Sequence, residues 1–278
     1  MIRFVKSIQS FTIKAGAFIK RDFLIEASYS LAFILEFFGV LATILTFYFI
    51  AKFIGKGANL YLQDYGTEYF PFVLIGIAFK DYFTSALENY SKIIRIEQMT
   101  GTLEAMFVTP TKISTIILSM GLWNIIRTSV FILVYLLIGI FFLGIDLTNM
   151  NFWATSIILI LTVVSFSSVS IISASFVMVF KRGDPISFAT GKLFVFLGGV
   201  FFPITILPQG LQTISHFLPI TYALRAMRYA LLQGYSVKML TSDIIVLLIF
   251  SLVLLPLSIF IFNYAVKKAK NDGTLTYY

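Results

Sequence analysis

Four ionisable side chains stand inside long apolar stretches of this sequence: Glu36, Lys80, Asp81 and Arg127. A charge in such surroundings is costly unless it pairs or lines a polar cavity, so each is a candidate for an ion pair or a relay. Lys80 and Asp81 are consecutive and project about 100° apart on a helix, so we expect them not to share a face. One or both are then expected to reach a polar cavity or another helix.

Other kinds of chemistry are disfavoured by the residues that the chain lacks. It has no cysteine, which excludes disulfides, thiolate metal sites and thiol nucleophiles, and its single histidine argues against a histidine-built zinc site. No GxxxxGK[ST] phosphate loop is present, so the chain is not expected to bind ATP by that route. We therefore predict no metal, no cofactor and no catalytic residue in this chain.

The composition is that of a membrane protein. Hydrophobic residues make up 59% of the 278 residues, charged residues only 12%, and the mean hydropathy is +0.93. We predict a single all-α polytopic membrane domain over 1–278. Stretches of roughly 20 mostly apolar residues predict six transmembrane helices, at 30–52, 69–90, 114–143, 152–180, 187–203 and 242–263.

The distribution of basic residues predicts the orientation of these spans. Six spans place both termini on one side, and thirteen lysines and arginines lie there, against five in the opposite loops. The positive-inside rule therefore predicts cytoplasmic termini in the cell membrane, and it explains the net charge of +8 without nucleic acid. Residues 1–28 show helical amphipathic spacing, which predicts an interfacial helix.

Two of the intramembrane charges are predicted to pair. Glu36 and Arg127 precede the outer ends of their spans, 30–52 and 114–143, by the same number of residues. At about 1.5 Å of rise per residue they reach a similar depth. We expect them to face each other, and a structural ion pair is favoured over a transport role.

The longest predicted cytoplasmic connection is the loop 91–113. Thr102 is expected to cap a short helix that Pro110 prevents from continuing. Such a helix would expose an apolar cluster to the cytoplasm, made of Leu103, Met106 and Phe107. A protein partner or the bilayer surface would cover this cluster, and the residues alone leave both open.

The stretch 198–234 is too broken for a plain span and too apolar for a soluble loop. It opens with Gly198 and Gly199 and is interrupted by Pro203, Pro208 and Pro219. We predict an external re-entrant segment over 204–240. Its last helix is expected to be capped by Thr221 and to run to Gly234, with Arg225 and Arg228 facing lipid phosphates or acidic neighbours.

Two motifs carry a resemblance to a known family. The sequence GTLEAMFVTPTK at 101–112 resembles the cytoplasmic loop of ABC-2 type exporter permeases. The stretch 198–234 resembles that family's glycine-containing fifth span, its Pro-x-x-x-Leu-Pro break and its following Pro-x-Thr-Tyr helix with arginine. Their order and spacing, with six spans, extend the resemblance over nearly the whole chain.

The resemblance implies a type V exporter-like permease that works as a dimer, with a homodimer expected. A separate ATPase subunit, in two copies, would bind ATP and Mg²⁺. By matching position, the coupling helix that docks on the ATPase would contain Gly101, Thr102, Leu103, Glu104 and Pro110. The external region above the exit would contain Pro203, Leu207, Pro208, Pro219, Thr221, Tyr222 and Arg225. Exported compounds would be hydrophobic drugs, lipids or lipid-linked glycans. The alternative is a channel or secondary transporter that works without an ATPase.

Overall fold

The chain is all-helical wherever the structure describes it. The computed structural model describes residues 2–180, 191–193 and 195–272, and no strand occurs among them. The longer helices are α1 (Ile2–Ala27), α2 (Ser30–Ile54), α3 (Tyr69–Met99), α6 (Leu122–Leu143), α7 (Phe152–Phe180) and α10 (Thr241–Asn271). The shorter ones are α4 (Thr102–Val108), α5 (Ile113–Met120), α8 (Gln209–His216) and α9 (Pro219–Leu232). Short 3-10 turns occupy Gly55–Tyr61, Gln63–Tyr65 and Ile204–Ile206.

Five segments are long and apolar enough to cross a bilayer. They are Leu31–Tyr61, Tyr69–Met99, Ile113–Leu143, Phe152–Phe180 and Thr241–Asn271, and they correspond to the predicted spans one to four and six. The predicted fifth span, 187–203, lies partly outside the described residues. The prediction of an all-helical polytopic membrane protein is confirmed.

Helix α7 forms the centre of the fold and packs against both α3 and α10. Small hydroxyl side chains allow this close approach: Ser165 Oγ lies 2.9 Å from Ser251 Oγ of α10. Ser168 and Ser175 instead donate to carbonyls one turn earlier on α7, at 2.7 and 2.8 Å. These three hydroxyl groups thus find their partners inside the helix pair.

Helix α2 is attached much more loosely. Most of its residues are exposed, and of its large apolar side chains only Val40 and Ile44 are buried, against α3 and α6. The weak attachment leaves open space between α2 and the rest of the bundle. One of the polar cavities described below lies in that space.

The predicted third span, 114–143, is interrupted at Gly121, where α5 ends and α6 begins. A Cβ atom added there would lie 2.5 Å from the Tyr90 ring and 2.7 Å from Asn89 Nδ2. Asn89 Nδ2 donates to the Gly121 carbonyl at 3.1 Å, which satisfies the backbone at the break. The break therefore depends on close contact with α3.

The predicted loop 91–113 is mostly helical. Its first nine residues continue α3 to Met99, and Gly101 then adopts a left-handed conformation with φ of 73°. Only glycine adopts this conformation readily, and here it turns the chain from α3 into α4. We call the end of the bundle that holds α1, α4 and the last turns of α10 the terminal end. The opposite end holds α8 and α9.

Candidate functional site

The short helix α4 lies at the terminal end. Thr102 is its first residue and not its cap, which is Gly101, so the predicted capping role of Thr102 is wrong. The Thr102 hydroxyl instead contacts the carboxylate of Glu97 in the last turns of α3. Helix α4 ends at Val108, two residues before Pro110, as expected for a proline that cannot continue a helix.

The apolar side of α4 is covered by the chain itself, which corrects the predicted exposure of Leu103 and Phe107. Leu103 is 0% exposed and Phe107 7%, and both pack in one cluster with Tyr90 of α3 and Val266 of α10. Lys270 Nζ also donates to the Phe107 carbonyl at 3.3 Å. The physical reason is that α10 extends beyond its predicted span and forms the surface on which α4 rests. Met106 is partly buried beside the same cluster.

The outer side of α4 is left free by this packing. It presents Glu104, Ala105 and Val108, of which Val108 is 79% exposed. Met99, just before the turn at Gly101, is exposed as well. A short helix anchored from beneath, with a mixed polar and apolar outer side, can serve as a docking surface.

Arg127 of α6 is the centre of an ion-pair network. It contacts Glu36 of α2, so the predicted Glu36–Arg127 pair is present. It also contacts Glu26 near the end of α1, and the indole nitrogen of Trp123 donates to the same carboxylate. Sequence reasoning missed Glu26, because this residue lies before the first predicted span and its approach to α6 depends on the corner between α1 and α2.

Lys80 and Asp81 of α3 pair with each other, contrary to the expectation from their angular separation. Lys80 Nζ lies 2.7 Å from Asp81 Oδ1, because the long lysine side chain can bend back toward its neighbour. The Tyr135 hydroxyl of α6 donates to Asp81 Oδ2 at 2.8 Å. Asp81 thereby links α3 to α6.

These charged groups border two adjoining cavities. A cavity of about 640 Å³ lies between α1, α3 and α6, and one of about 390 Å³ lies between α2, α3 and α6. They share the residues Glu36, Asp81, Ser85 and Arg127. A third cavity, of about 480 Å³, shares Thr84 and Glu88 with the larger of these two and Lys80 with the smaller, and it is also bordered by Lys192 and Phe201. The polar residues of α3 thus border three neighbouring cavities.

The opposite end is organised around Arg228 of α9. Its guanidinium donates to the carbonyls of Phe72 at 3.2 Å, Gly199 at 2.8 Å and Val200 at 2.9 Å. Its Cζ atom lies 3.5 Å from the centroid of the Phe72 ring. The residue is 2% exposed, which corrects the expectation that lipid phosphates reach it.

Burial lowers the pKa of Arg228 to about 10, and Tyr65 partly offsets this shift. The guanidinium therefore stays charged at neutral pH and is satisfied by backbone carbonyls and not by a carboxylate. The close approach also depends on Gly76 of α3, where a Cβ atom would lie 2.1 Å from the Val200 carbonyl oxygen and 2.6 Å from Arg228 Nη2. We call Arg228, Gly76 and the three carbonyls the Arg228 clamp.

Other residues of the predicted external motif hold local turns. Gly199 has φ of 77°, Pro203 precedes the turn Ile204–Ile206, and Pro208 is followed directly by α8. Leu207 is buried, and its carbonyl accepts a hydrogen bond from Gln212 Nε2 at 2.7 Å. Gly198 is buried at the same bend. These residues break the chain direction between the fifth predicted span and α8.

Helix α9 begins at Pro219, three residues earlier than a helix capped by Thr221 would. Leu218 is its cap, so the predicted capping role of Thr221 is wrong. The Thr221 hydroxyl instead donates to the Ser215 carbonyl at 2.7 Å, and the Tyr222 hydroxyl donates to His216 at 2.8 Å. Both bonds tie α9 back to α8.

Arg225 meets an acidic neighbour, which is one of the two partners expected for it. Its Nε atom lies 3.2 Å from Asp243 Oδ1 in the first turn of α10. Asp243 is buried and Arg225 is about one-third exposed. The ion pair therefore joins α9 to the start of the last span. On the side where Asp243 contacts the guanidinium of Arg225, a lipid phosphate has no access to it.

The sequence is similar to known proteins over most of its length. The family described as ABC-2 type transporter matches residues 13–232 of the chain. The protein named inner membrane transport permease YadH of Escherichia coli strain K12 is 26% identical over 178 residues, which is 64% of this chain and 69% of the relative. The proteins of the same name from Escherichia coli O157:H7 and Shigella flexneri match to the same extent.

Proposed function

The chain belongs to the ABC-2 type transporter family, and from this we propose that it is the permease subunit of an ATP-driven exporter. In this proposal two copies of the chain form the pathway, and a separate ATPase subunit, also in two copies, binds ATP and Mg²⁺. The similarity to relatives named inner membrane transport permease supports a location in the inner membrane. The termini would be cytoplasmic and α8 and α9 external.

The observation that carries the proposal is the way α4 is held. Leu103 and Phe107 anchor the helix on α3 and α10, while Glu104, Ala105 and Val108 point outward. A rigid base under an accessible surface suits a helix that must transmit force from a docked ATPase. The coupling residues implied by the family resemblance therefore fall into two groups. Leu103 and Phe107 would anchor the helix to the rest of the chain, and Glu104 would contact the ATPase subunit.

The exported compound is proposed to be a hydrophobic drug-like molecule, a lipid or a lipid-linked glycan. The cavities beside α3 support a cargo that carries polar groups as well, because Lys80, Thr84 and Glu88 border the space near residues 191–201. No bond of the cargo needs to be broken for export. ATP would act by favouring one of two arrangements of the spans, and the cargo would move between them.

The absence of cysteine from the sequence allows a direct test. A thiol-reactive photo-cross-linker attached to a single cysteine introduced as Glu104→Cys should link to the ATPase subunit expressed with the permease. The same reagent on Lys238→Cys, exposed at the opposite end, should not. Export by the reconstituted pair should require ATP and be inhibited by vanadate. Cross-linking from position 238 alone would overturn the proposed orientation, and cargo movement unaffected by vanadate would overturn the ATPase coupling.

A second candidate function is a channel or secondary transporter that works without an ATPase. It is supported by the chain of ionisable groups along the two adjoining cavities, namely Glu36, Arg127, Lys80 and Asp81. In that case Asp81→Asn would abolish transport in vesicles that contain no ATP. If transport occurs only with the ATPase and ATP, this candidate is excluded.

A further inference from the structure

A groove of about 430 Å³ lies at the corner between α1 and α2, and its lining is almost wholly apolar. This volume falls within the ~300–1,000 Å³ typical of small-molecule sites. The apolar lining comes from three helices and includes Phe23, Phe33, Ile34, Trp123, Ile126 and Val130. We call it the corner groove.

The corner groove runs along two candidate spans. Trp123, Ile126 and Val130 lie on one side of α6, and the distance from the first to the last is about 10 Å at ~1.5 Å per residue. Ile34 lies in the early turns of α2, opposite them. The groove begins at Trp123, beside α1, and runs parallel to the two spans. An acyl chain in a bilayer runs in the same direction.

The polar end of the corner groove is a wall of three residues. Glu26, Trp123 and Arg127 line the corner groove on one side and the 640 Å³ cavity on the other. Glu26 contacts both of the other two, so the wall is held together by its own bonds. A molecule with a polar head and an apolar tail can therefore lie across this wall with each part in matching surroundings.

The charge of the 640 Å³ cavity determines which kind of polar headgroup can bind there. Six carboxylates and only three cations line it, a net charge of −3 in a chain whose net charge is +8. The two arginines are already shared: Arg21 contacts both Asp22 and Glu97 at 2.8 Å, and Arg127 contacts two glutamates. Lys92 pairs with Glu88, and Lys80 of the adjoining cavity pairs with Asp81. Four cations thus meet six carboxylates, and an excess of two negative charges remains.

Asp22 borders this cavity, and its pKa is raised above the ordinary value chiefly because the carboxyl group is buried. Arg21 lowers the pKa through a hydrogen bond and its charge, and the carboxylates of Glu97 and Glu26 add smaller increases. A cation placed in the cavity would offset both the burial and the repulsion. A primary ammonium group suits the position because it is compact and has three N–H donors for carboxylate oxygens.

We propose that the corner groove and the adjoining cavity together bind an aminophospholipid of the bilayer. One acyl chain lies between α2 and α6, and the ammonium head lies among the carboxylates beyond the wall. The bound lipid joins α1, α2 and α6 at the point where α2 is otherwise loosely attached. This site does not depend on the proposed export function, because it requires only that α2 and α6 cross a membrane.

The two tryptophans of the chain provide a probe and its control. Trp123 lies in the wall, whereas Trp153 is 73% exposed in the first turn of α7 at the opposite end. Trp153→Phe leaves Trp123 as the only reporter, and Trp123→Phe leaves Trp153. Each variant is reconstituted in phosphatidylcholine vesicles containing a fixed fraction of either phosphatidylethanolamine or phosphatidylglycerol, brominated near the head end of the acyl chain.

Brominated phosphatidylethanolamine should quench Trp123 with an association constant about fivefold higher than brominated phosphatidylglycerol, as expected for one favourable charge near the surface. Trp153 should show no such preference. In the Trp153→Phe background, Glu26→Gln should remove the preference. Glu88 lines the cavity and pairs with Lys92, not with Arg127, so Glu88→Gln should weaken the preference for phosphatidylethanolamine. It serves as the second variant if Glu26→Gln does not fold.

A tail variant completes the test. Val130→Phe fills the corner groove and should reduce quenching by both lipids, whereas Leu133→Phe, on the same helix and outside the groove, should not. Equal quenching of Trp123 by the two headgroups would mean ordinary boundary lipid and would overturn the proposal. Quenching of Trp153 without quenching of Trp123 would mean that protein covers the groove. An equal preference for phosphatidylethanolamine at both tryptophans would mean that the lipid composition of the whole bilayer, and not a site, causes the preference. Either result would also overturn it.

Discussion

Glu26 and Glu36 contact the same guanidinium group from opposite sides of the corner between α1 and α2. The group belongs to Arg127 of α6, so a single cation joins three helices. The two carboxylates and the arginine all keep part of their surface open to the cavities. Partial exposure to solvent weakens ion pairs of this kind. Because Glu26 and Glu36 share one cation, however, loss of Arg127 would leave two carboxylates close together without a positive charge between them.

The first prediction concerns this network. Arg127→Gln should lower the thermal unfolding temperature in detergent more than Glu36→Gln does, because it leaves Glu26 and Glu36 without their cation. The double variant should show a coupling free energy on the order of 0.5–3 kcal/mol. Lys92→Gln is the control, since the Lys92 side chain is largely exposed and its pair with Glu88 contributes little. Strictly additive effects of the two substitutions would exclude the pairing.

The second prediction concerns the Arg228 clamp. Arg228→Leu removes hydrogen bonds to three buried carbonyls and should reduce the free energy of unfolding by on the order of 1–3 kcal/mol. The free energy of unfolding of Arg228→Lys should lie between those of Arg228→Leu and the wild type. A lysine keeps the charge but lacks the planar fork that reaches several carbonyls. Chemical denaturation in detergent measures both. Lys238→Leu, exposed at the same end, should have no effect, and an equally stable Arg228→Leu variant would contradict the assignment.

The third prediction uses two glycines within helices. Gly76→Ala should lower the unfolding temperature, because the new Cβ atom would overlap the Val200 carbonyl oxygen and Arg228 Nη2. Gly39→Ala in α2 has nothing within 4 Å of the new atom and should be neutral or stabilising by up to ~1 kcal/mol. Thermal unfolding of both variants tests the close approach. The prediction is wrong if the two substitutions have the same effect.

The fourth prediction separates the two sides of α4. Leu103→Ala should destabilise the permease by roughly 2–5 kcal/mol, since it empties a fully buried position. Glu104→Ala should leave the unfolding temperature unchanged and reduce the stimulation of the ATPase subunit by the permease. Unfolding and ATP hydrolysis by the assembled transporter are measured on the same samples. A Glu104→Ala variant with full stimulation would remove Glu104 from the docking surface.

The sequence predicts the spans and the depth of the charges well, because these depend on local quantities. Hydropathy identifies five segments that the structure also contains, and the fixed rise of a helix brings Glu36 and Arg127 to one level. The buried side of α4 could not be predicted in this way. It depends on α10, which supplies Val266 and Lys270 from the far end of the chain.

The Arg228 clamp escapes prediction for a similar reason. Its acceptor at Phe72 is 156 residues away in the sequence, and its other two acceptors are backbone carbonyls, which any residue type provides. Nothing in the residue types around Arg228 distinguishes a buried arginine from one that faces lipid phosphates. The pair of Lys80 and Asp81 was missed because a helical angle describes the direction of a Cα–Cβ bond and not the reach of a long side chain.

Helix α3 has a mechanical consequence that follows from its length alone. Its 31 residues form one continuous α-helix of about 46 Å, with α4 next to one end and the Phe72 carbonyl of the Arg228 clamp near the other. A rod of this length acts as a lever: a tilt of ~5° about its middle moves each end by ~2 Å in opposite directions, similar to the ~1–2 Å helix shifts that switch other proteins. Displacement applied at α4 therefore reaches the far side of the membrane without any rearrangement inside α3.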